Sequence, residues 1–325
     1  MENKLKNKIK VVFLATPDIA LESFKFFINS PDYDVQALVT QKAKAQNRGK
    51  KIVERNITKL AKENNILVFE PDRISKSPEV IEELKKMEPD FLVTFAFGQI
   101  LSQEVIDIPK FNTINLHASL LPKYRGANPI SQSIVEGEKE TGITTMKTVL
   151  ELDKGDICLQ EKIEIPFEMN VIELMEKISS LSPNLLDKTL KGLYEGTLKS
   201  ICQDDSKATF TKKIKKEEKE IDWKTNNICL HNKIRGMYKI NTNHTRFNNK
   251  LIQIIKTSCP DCLEGTNVRT NCGEILEISK KGILVKCQEG NILIEKLKPE
   301  GKGEINAFDW ANGARIKVGD CFQGA

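Results

Sequence analysis

"KVVFLATPDIALESFKFF", Lys10 to Phe27, is the stretch on which the reading of the whole chain turns. Its first six residues, Lys10 to Ala15, are almost continuously apolar, as a strand covered on both faces is. A turn follows at Ala15-Thr16-Pro17-Asp18-Ile19-Ala20, and Ile19 to Phe27 carries helical spacing. A strand that turns into a helix is the first half of a parallel α/β unit, provided that the pattern repeats. It does. "VQALVT" (Val35 to Thr40), "ILVFE" (Ile66 to Glu70), "FLVTFAF" (Phe91 to Phe97) and "TINLH" (Thr113 to His117) read as further strands, with helices expected at Ile52 to Glu63 and Glu79 to Lys86. The expected class is α/β: a Rossmann-like, mostly parallel open sheet with helices on both faces. A dinucleotide site would show G-x-G-x-x-G after the first strand. The turn there has no glycine, which argues against NAD.

Outward from this core, Val171 to Glu195 reads as one long helix, broken at Ser182-Pro183 at most. The composition then shifts. "DDSKATFTKKIKKEEKEIDWKTNN" is polar, charged and poor in large apolar residues, which suits a connection between domains. After it come a helical run at Asn227 to Gly236 and four short strand-like runs, "KLIQIIKT", "GEILEIS", "GILVKC" and "NILIEKL". Closely spaced short strands imply a small β-barrel or sandwich. The expected organisation is a catalytic domain over 1–203, a basic linker over 204–220 and a smaller β-barrel domain over 221–325.

Bulk properties narrow the class. A chain of 325 residues suits two domains of unequal size. No apolar run approaches the ~18 residues of a membrane span, so no membrane partner is expected. The charged start, MENKLKNKIK, lacks the apolar core of a secretory signal, and the expected compartment is the cytosol. The eight cysteines are then expected to be free thiols. Cys259-Pro260-Asp261-Cys262, with Cys272 following, supplies one pair and a single, where structural zinc asks for four ligands. No metal is expected. The net charge of +5 is mild, but its placement is uneven. Lys42, Lys44, Arg48, Lys50, Lys51 and Arg55 crowd one segment; Lys212, Lys213, Lys215 and Lys216 crowd another. Such clusters are usually solvated faces, yet two on loops keep a polyanionic partner open.

The chemistry concentrates in "TINLHASLLPKYRGANPI", Thr113 to Ile130. Alternate residues of a strand share a face, so Asn115 and His117 point the same way. They do so at a strand's carboxyl end, where open α/β sheets place their active crevice. An amide and an imidazole together can donate hydrogen bonds to a carbonyl oxygen as it turns negative. The plainer alternative is two internally satisfied polar groups closing a strand. Leu120-Leu121-Pro122 follows, with a proline that fixes φ and restrains its neighbour. Downstream, "LELDKGD" (Leu150 to Asp156) brings carboxylates, and a carboxylate beside a histidine fixes its tautomer and favours its charged form. Spacing alone leaves Glu151, Asp153 and Asp156 all open.

"NLHASLLPKYRGANPI", with Leu152-Asp153-Lys154-Gly155 downstream, resembles the signature of the 10-formyltetrahydrofolate-dependent formyltransferases: N-x-H, then S-L-L-P, then L-D-x-G. The resemblance implies a catalytic trio of Asn115, His117 and Asp153. It implies a folate site lined by Ser119, Leu120, Leu121 and Pro122, with Phe95, Ala96, Phe97, Gly98 and Leu152 around the pterin ring. The donor would be 10-formyltetrahydrofolate, with no metal. Within the family the likeness is to the branch that formylates initiator methionyl-tRNA, and it runs nearly end to end. Arg48-Gly49-Lys50-Lys51 resembles part of a loop that enters the tRNA acceptor stem, and Ile221-Asp222-Trp223 and Leu297 to Phe322 resemble an OB-like C-terminal domain. That implies tRNA binding by Arg48, Gly49, Lys50 and Lys51 and by the linker lysines, in a chain expected to act as a monomer. Trp223 and Trp310 read as core rather than as base-stacking residues.

The chain also departs from the pattern. Ala15 stands where the family has glycine; the 41–51 loop lacks two prolines and a glycine; Gly236-Met237-Tyr238-Lys239-Ile240 replaces an N-P-x-P-G-A segment. Two rival readings stay in view. An amino-sugar nucleotide formyltransferase would share the trio, though its small acceptor needs no extended cationic surface. A non-catalytic RNA-binding protein on the same scaffold has no need of an intact trio.

Overall fold

The computed structural model describes residues 7–43, 45–46, 51–260 and 271–324, in two compact units. The first takes the chain up to Gly126 with 141–163 and 175–210; the second takes 127–140, 164–174 and the chain from Thr211 onward.

The first unit is built on seven strands: β1 (Ile9–Ala15), β2 (Tyr33–Val39), β3 (Leu67–Phe69), β4 (Phe91–Phe95), β5 (Asn112–His117), β6 (Glu140–Lys147) and β7 (Ile157–Glu164). Their order is β7-β6-β5-β4-β1-β2-β3. The pairs from β3 through β5 are parallel, and β6 returns antiparallel to β5. Every residue of β4 is buried, as is all of β1 but Lys10. That is why these strands read as unbroken apolar runs. Helices α1 (Leu21–Asn29), α2 (Asn56–Glu63) and α3 (Pro78–Lys86) supply the covering layers. Phe13 packs its ring on Phe24 and Phe27 of α1, while Val12 and Leu14 join Ile81 and Leu84 of α3 in a separate cluster. Each such fully buried side chain contributes about 1.5–3 kcal/mol. The mostly parallel open sheet expected from the sequence is the observed one.

Boundaries shift where backbone conformation overrides pattern. Helix α2 starts at Asn56 rather than Ile52, because Lys51–Ile52 pairs antiparallel with Ala45–Gln46. Strand β4 stops at Phe95 rather than Phe97, because Ala96 turns to φ +51°. The short helices α4 (Gln103–Ile106) and α5 (Pro129–Val135) have no counterpart in the sequence reading. Helix α6 (Val171–Tyr194) runs through Pro183 without a break.

The second unit carries α7 (Asn227–Gly236), strands β8 (His244–Phe247), β9 (Lys250–Ser258), β10 (Ile275–Ser279), β11 (Gly282–Lys286), β12 (Asn291–Pro299) and β13 (Ile305–Asn306), and α8 (Ala307–Ala314). The order is β8-β9-β12-β11-β10, with β13 on β12. The C-terminal segment spans both edges: Gln323 bridges Arg246 of β8, and Cys321 bridges Glu274 just ahead of β10. Both edges thereby lose part of their unpaired backbone, which gives the barrel-like closure. Trp223 is buried in this unit's core, stacked on Phe322, and Trp310 packs against the same core. Helix α7 lies so close to α5 that a Cβ on Gly236 would sit 2.8 Å from Val135 Cγ2 and 3.0 Å from the Ser131 carbonyl.

Among the described residues no helix is long and apolar enough to cross a membrane, and no group of three or more His, Cys, Asp or Glu could hold a metal ion. Cys259 and Cys272 are half-buried, and Cys262 lies outside the described residues.

Candidate active site

Asn115 and His117 sit at the carboxyl end of β5, on one face, as their spacing requires. Thr94 lies directly opposite Asn115 in the β4–β5 ladder, and its hydroxyl donates to Asn115 Oδ1 at 2.8 Å. This fixes the oxygen end of the amide on the sheet and leaves Nδ2 as the end able to serve a ligand. The His117 ring lies 7 % exposed. Its Nε2 is 2.9 Å from the Tyr124 carbonyl, which can only accept, so Nε2 carries the hydrogen. Nδ1 then faces Asp153, with Oδ2 at 3.6 Å. That separation is too long for a hydrogen bond but within ion-pair range for a charged ring.

The turn after the strand explains why proline, arginine and glycine crowd behind two polar residues. Tyr124 and Gly126 both take positive φ, +62° and +104°, so successive backbone groups turn to opposite tasks. The Tyr124 carbonyl receives His117; the Gly126 amide donates to Asp153 Oδ2 at 2.7 Å. One short segment therefore positions both ionisable groups. Asp153 itself adopts φ +52°. Of the three acids the spacing left open, Asp153 alone is placed against His117: Glu151 is exposed, and Asp156 receives the Ser200 hydroxyl at 3.2 Å. Gly155 is required by space, since a Cβ there would lie 1.7 Å from the Lys147 carbonyl oxygen.

Behind the trio stands a buried pair that no local pattern in the sequence announces. Arg125, 3 % exposed, donates from Nε and Nη2 to Gln203 Oε1 at 3.0 and 2.8 Å. Gln203 Nε2 in turn donates to the carbonyls of Asp153 and Gly155 at 2.8 and 2.7 Å. Thr94 was likewise missed; the only available signal was a hydroxyl inside an otherwise apolar strand.

The Ser119-Leu120-Leu121-Pro122 segment is pinned from β6 and β7. Thr144 Oγ1 donates to the Ser119 carbonyl at 2.6 Å and accepts from the Leu121 amide at 3.2 Å. Gln160 Nε2 donates to the Leu121 carbonyl at 2.9 Å. Ser119 Oγ donates to the Lys123 carbonyl at 2.6 Å, and the Leu121–Pro122 peptide is cis. Beyond β4, the side chains of Phe95 and Phe97 face the core, while Ala96 and Gly98 are exposed. The Phe97 carbonyl accepts from Thr16 Oγ1 and Gln41 Nε2, each at 2.8 Å, which fixes this turn to the ends of β1 and β2. Leu152 leaves 67 % of its surface exposed beside Asp153, and Leu150 is exposed as well. A cavity of about 500 Å³, lined by Phe111, Asn112, Lys147, Leu150 and Glu151 among others, opens at the amino end of β5.

Of the basic residues, Lys212, Lys213, Lys215 and Lys216 are exposed, and the segment before them is held where the Arg125 amide donates to the Thr209 carbonyl at 2.9 Å. Lys51 belongs to the short Lys51–Ile52 strand; Arg48, Gly49 and Lys50 lie outside the described residues.

Both halves of the chain resemble known proteins. Residues 10–190 match the family described as formyl transferase, and residues 213–315 match the formyl transferase C-terminal domain. A methionyl-tRNA formyltransferase of Clostridium novyi is 36 % identical over 310 residues, covering 95 % of this chain and 98 % of that one. One of Ruminiclostridium cellulolyticum is 38 % identical over 313 residues, covering 96 % and 99 %. Among solved structures, an N-formyltransferase from Helicobacter canadensis, in complex with folinic acid and dTDP-3-aminofucose, superposes with a TM-score of 0.66 at 20 % identity, covering 88 % of this chain and 98 % of its own. That last likeness bears on the fold alone.

Proposed function

This chain belongs to the formyltransferase family, and from that premise we propose that it transfers the formyl group of 10-formyltetrahydrofolate to the α-amine of initiator methionyl-tRNA. The observation that carries the reading is the convergence of Asn115, His117 and Asp153 at the carboxyl rim of the sheet, with His117 Nδ1 3.6 Å from Asp153 Oδ2. The exposed leucines at 150 and 152, and the turn at 96–98 with backbone rather than side chains at the surface, fit a flat heterocyclic donor. The reaction is assigned to residues 1–203 and tRNA binding to residues 221–325, joined by the basic linker 204–220.

In this mechanism the amine attacks the formyl carbon, and Asn115 Nδ2 donates to the oxygen that becomes negative. The donor end of the amide is available because Thr94 holds the other end. His117 keeps Nε2–H on Tyr124 and, in its charged form, donates from Nδ1. Asp153 balances that charge and, through water, accepts the proton lost by the amine. As the C–N bond to the donor breaks, His117 gives its Nδ1 proton to the departing nitrogen, and the proton held by Asp153 resets the ring. One donor of this kind is worth roughly 10²–10³ in rate, and the acid–base step about 10²–10⁴.

The cationic segments supply the tRNA grip: Arg48, Gly49, Lys50 and Lys51 at one place, and Lys212, Lys213, Lys215 and Lys216 at another. Phosphate contacts of this sort make binding salt-dependent. The enzyme acts as a cytosolic monomer in this reading. The test is transfer of labelled formyl from 10-formyltetrahydrofolate to methionyl-tRNA, with an amino-sugar nucleotide and glycinamide ribonucleotide as parallel acceptors. Formylation of the tRNA alone is the expected result. Unchanged single-turnover rates in His117→Ala and Asp153→Asn would remove the trio from the chemistry. Arg48→Ala with Lys50→Ala raises the KM for tRNA and leaves donor binding as it was; equal tRNA affinity would refute the loop's role.

A further inference from the structure

We infer that Gln203, anchored by Arg125, is a positioning residue that sets Asp153 against His117; the inference rests on the catalytic reading above. Every valence of the Gln203 amide is committed to one side or the other of the site. Its oxygen takes two hydrogen bonds from the Arg125 guanidinium, and its nitrogen gives two to the Asp153 and Gly155 carbonyls. Arg125 lies between Tyr124, whose carbonyl holds His117, and Gly126, whose amide holds Asp153. Gln203 thus clamps the backbone that orients the imidazole to the backbone that carries the carboxylate.

Burial makes the clamp stiff. Gln203 is 8 % exposed and Arg125 3 %. A guanidinium inside a protein needs its partners, and carbonyls deprived of donors there are destabilising. The same Nη2 also donates to Asp205 Oδ1 at 2.8 Å, and Lys154, inside the L-D-x-G turn, reaches Asp205 Oδ2 at 3.3 Å. The turn is therefore tied to residues just past 200 at Asp153 and at both positions that follow it. Side-chain hydrogen bonds of ordinary length lock a φ of +52° that a non-glycine residue seldom adopts.

The identity of the side chain matters, and not only its size. Glutamate at 203 keeps the acceptor that Arg125 requires but presents oxygen to two carbonyls. Leucine fills the space and satisfies neither side. Both changes release Asp153 without touching it. A displacement of about 1 Å at a reacting group costs on the order of 10²-fold in rate.

The experiment is single-turnover and steady-state formylation by Gln203→Leu, Gln203→Glu, Asp153→Asn and the Gln203→Glu/Asp153→Asn double variant, in the full chain, with folding checked by circular dichroism. The Gln203 variants are expected to lose about 10²-fold in kcat while KM for donor and acceptor stays within about twofold. The double variant is expected to be no slower than Asp153→Asn alone, because a residue acting through another has nothing left to position. A folded Gln203→Glu enzyme with wild-type kcat overturns the inference, as do losses that simply multiply in the double variant. Should Gln203→Leu fail to fold, Gln203→Glu still decides. If Asp153→Asn alone keeps the wild-type rate, the catalytic reading itself fails, an outcome distinct from failure of the clamp.

Discussion

Replacing Gly155 with alanine tests the geometry of the site without altering any polar group in it. A Cβ built at this position lies 1.7 Å from the Lys147 carbonyl oxygen and 2.8 Å from its carbon. Real Cβ contacts begin near 3.0 Å, so one of the two backbones has to retreat by roughly 1.3 Å. Lys147 is poorly placed to yield: its amide donates to the Asp156 carbonyl at 2.9 Å, and the next amide, Thr148, donates to Thr113 at 2.8 Å. Residues 152 to 155 form a turn exposed at Leu152 and Lys154, and they are the part that moves. The shift breaks or stretches the Gln203 bond to the Gly155 carbonyl and carries Asp153, two residues away, off His117.

A displacement of that size at a reacting group is worth about 10²-fold, or about 2.7 kcal/mol of barrier. Overpacking of this kind also costs about 1–3 kcal/mol of stability. Single-turnover transfer at saturating donor and tRNA isolates the first effect, and a thermal melt reports the second. The expected variant is folded, moderately less stable and slower by two orders of magnitude in kcat, with KM little changed. A rate within threefold of wild type would mean that the L-D-x-G glycine does not hold the carboxylate in place, and the account of Asp153 would have to be abandoned.

Thr94→Val removes the hydroxyl that holds Asn115 Oδ1 while keeping the shape of the strand; kcat should drop about tenfold for roughly 1 kcal/mol of stability, and an unchanged rate would free Asn115 from any dependence on its neighbour. Replacing Lys212, Lys213, Lys215 and Lys216 with glutamine should weaken tRNA binding and flatten its dependence on log[salt] by up to about 3, which filter binding between 50 and 200 mM salt measures; parallel salt lines for the two proteins would rule the linker out as a phosphate contact. His231 is pushed below the ordinary histidine range by burial, which outweighs the neighbouring Glu168 carboxylate. The unfolded chain therefore takes up a proton that the folded chain refuses, so stability is full above about pH 6.5 and falls as the pH drops below it. His231→Gln should remove part of that fall in melts between pH 7.5 and 5, leaving the contribution of His244, which burial lowers in the same direction; superimposable pH profiles would exclude His231.

What the sequence revealed about the fold is what short range controls. Burial on both faces leaves its mark residue by residue, so Val11 to Ala15 and Phe91 to Phe95 could be read as central strands from apolarity alone. The face shared by Asn115 and His117 follows from a period of two and needs no partner. The ends of elements were less legible because their signals were absent or mixed. Ala96 turns to φ +51° without being a turn-forming residue type, so the run Phe91 to Phe97 looked like a longer strand than it is. Ile52 lies within the expected helix yet pairs with Ala45 in a two-stranded ladder, a pairing that helical spacing does not announce.

The site obeys the same division, and this explains why its most informative residues were overlooked. Glu151, Asp153 and Asp156 are equivalent to any reading of spacing; they separate only when Lys147 excludes a side chain at 155 and Gly126 offers its amide to one carboxylate. Gln203 is fifty residues from the carbonyl it binds, in a segment whose composition says only that it is polar. A glutamine there carries no chemistry of its own, so a search for acids, bases and nucleophiles passes it by. Groups that react are few in kind and can be sought by type, whereas groups that position are ordinary amides, hydroxyls and glycines whose value exists only in the pairings the fold creates. By that logic Thr94, Gly155 and Gln203 are where substitutions should separate slow chemistry from weak binding, and the three variants argued above make that separation measurable.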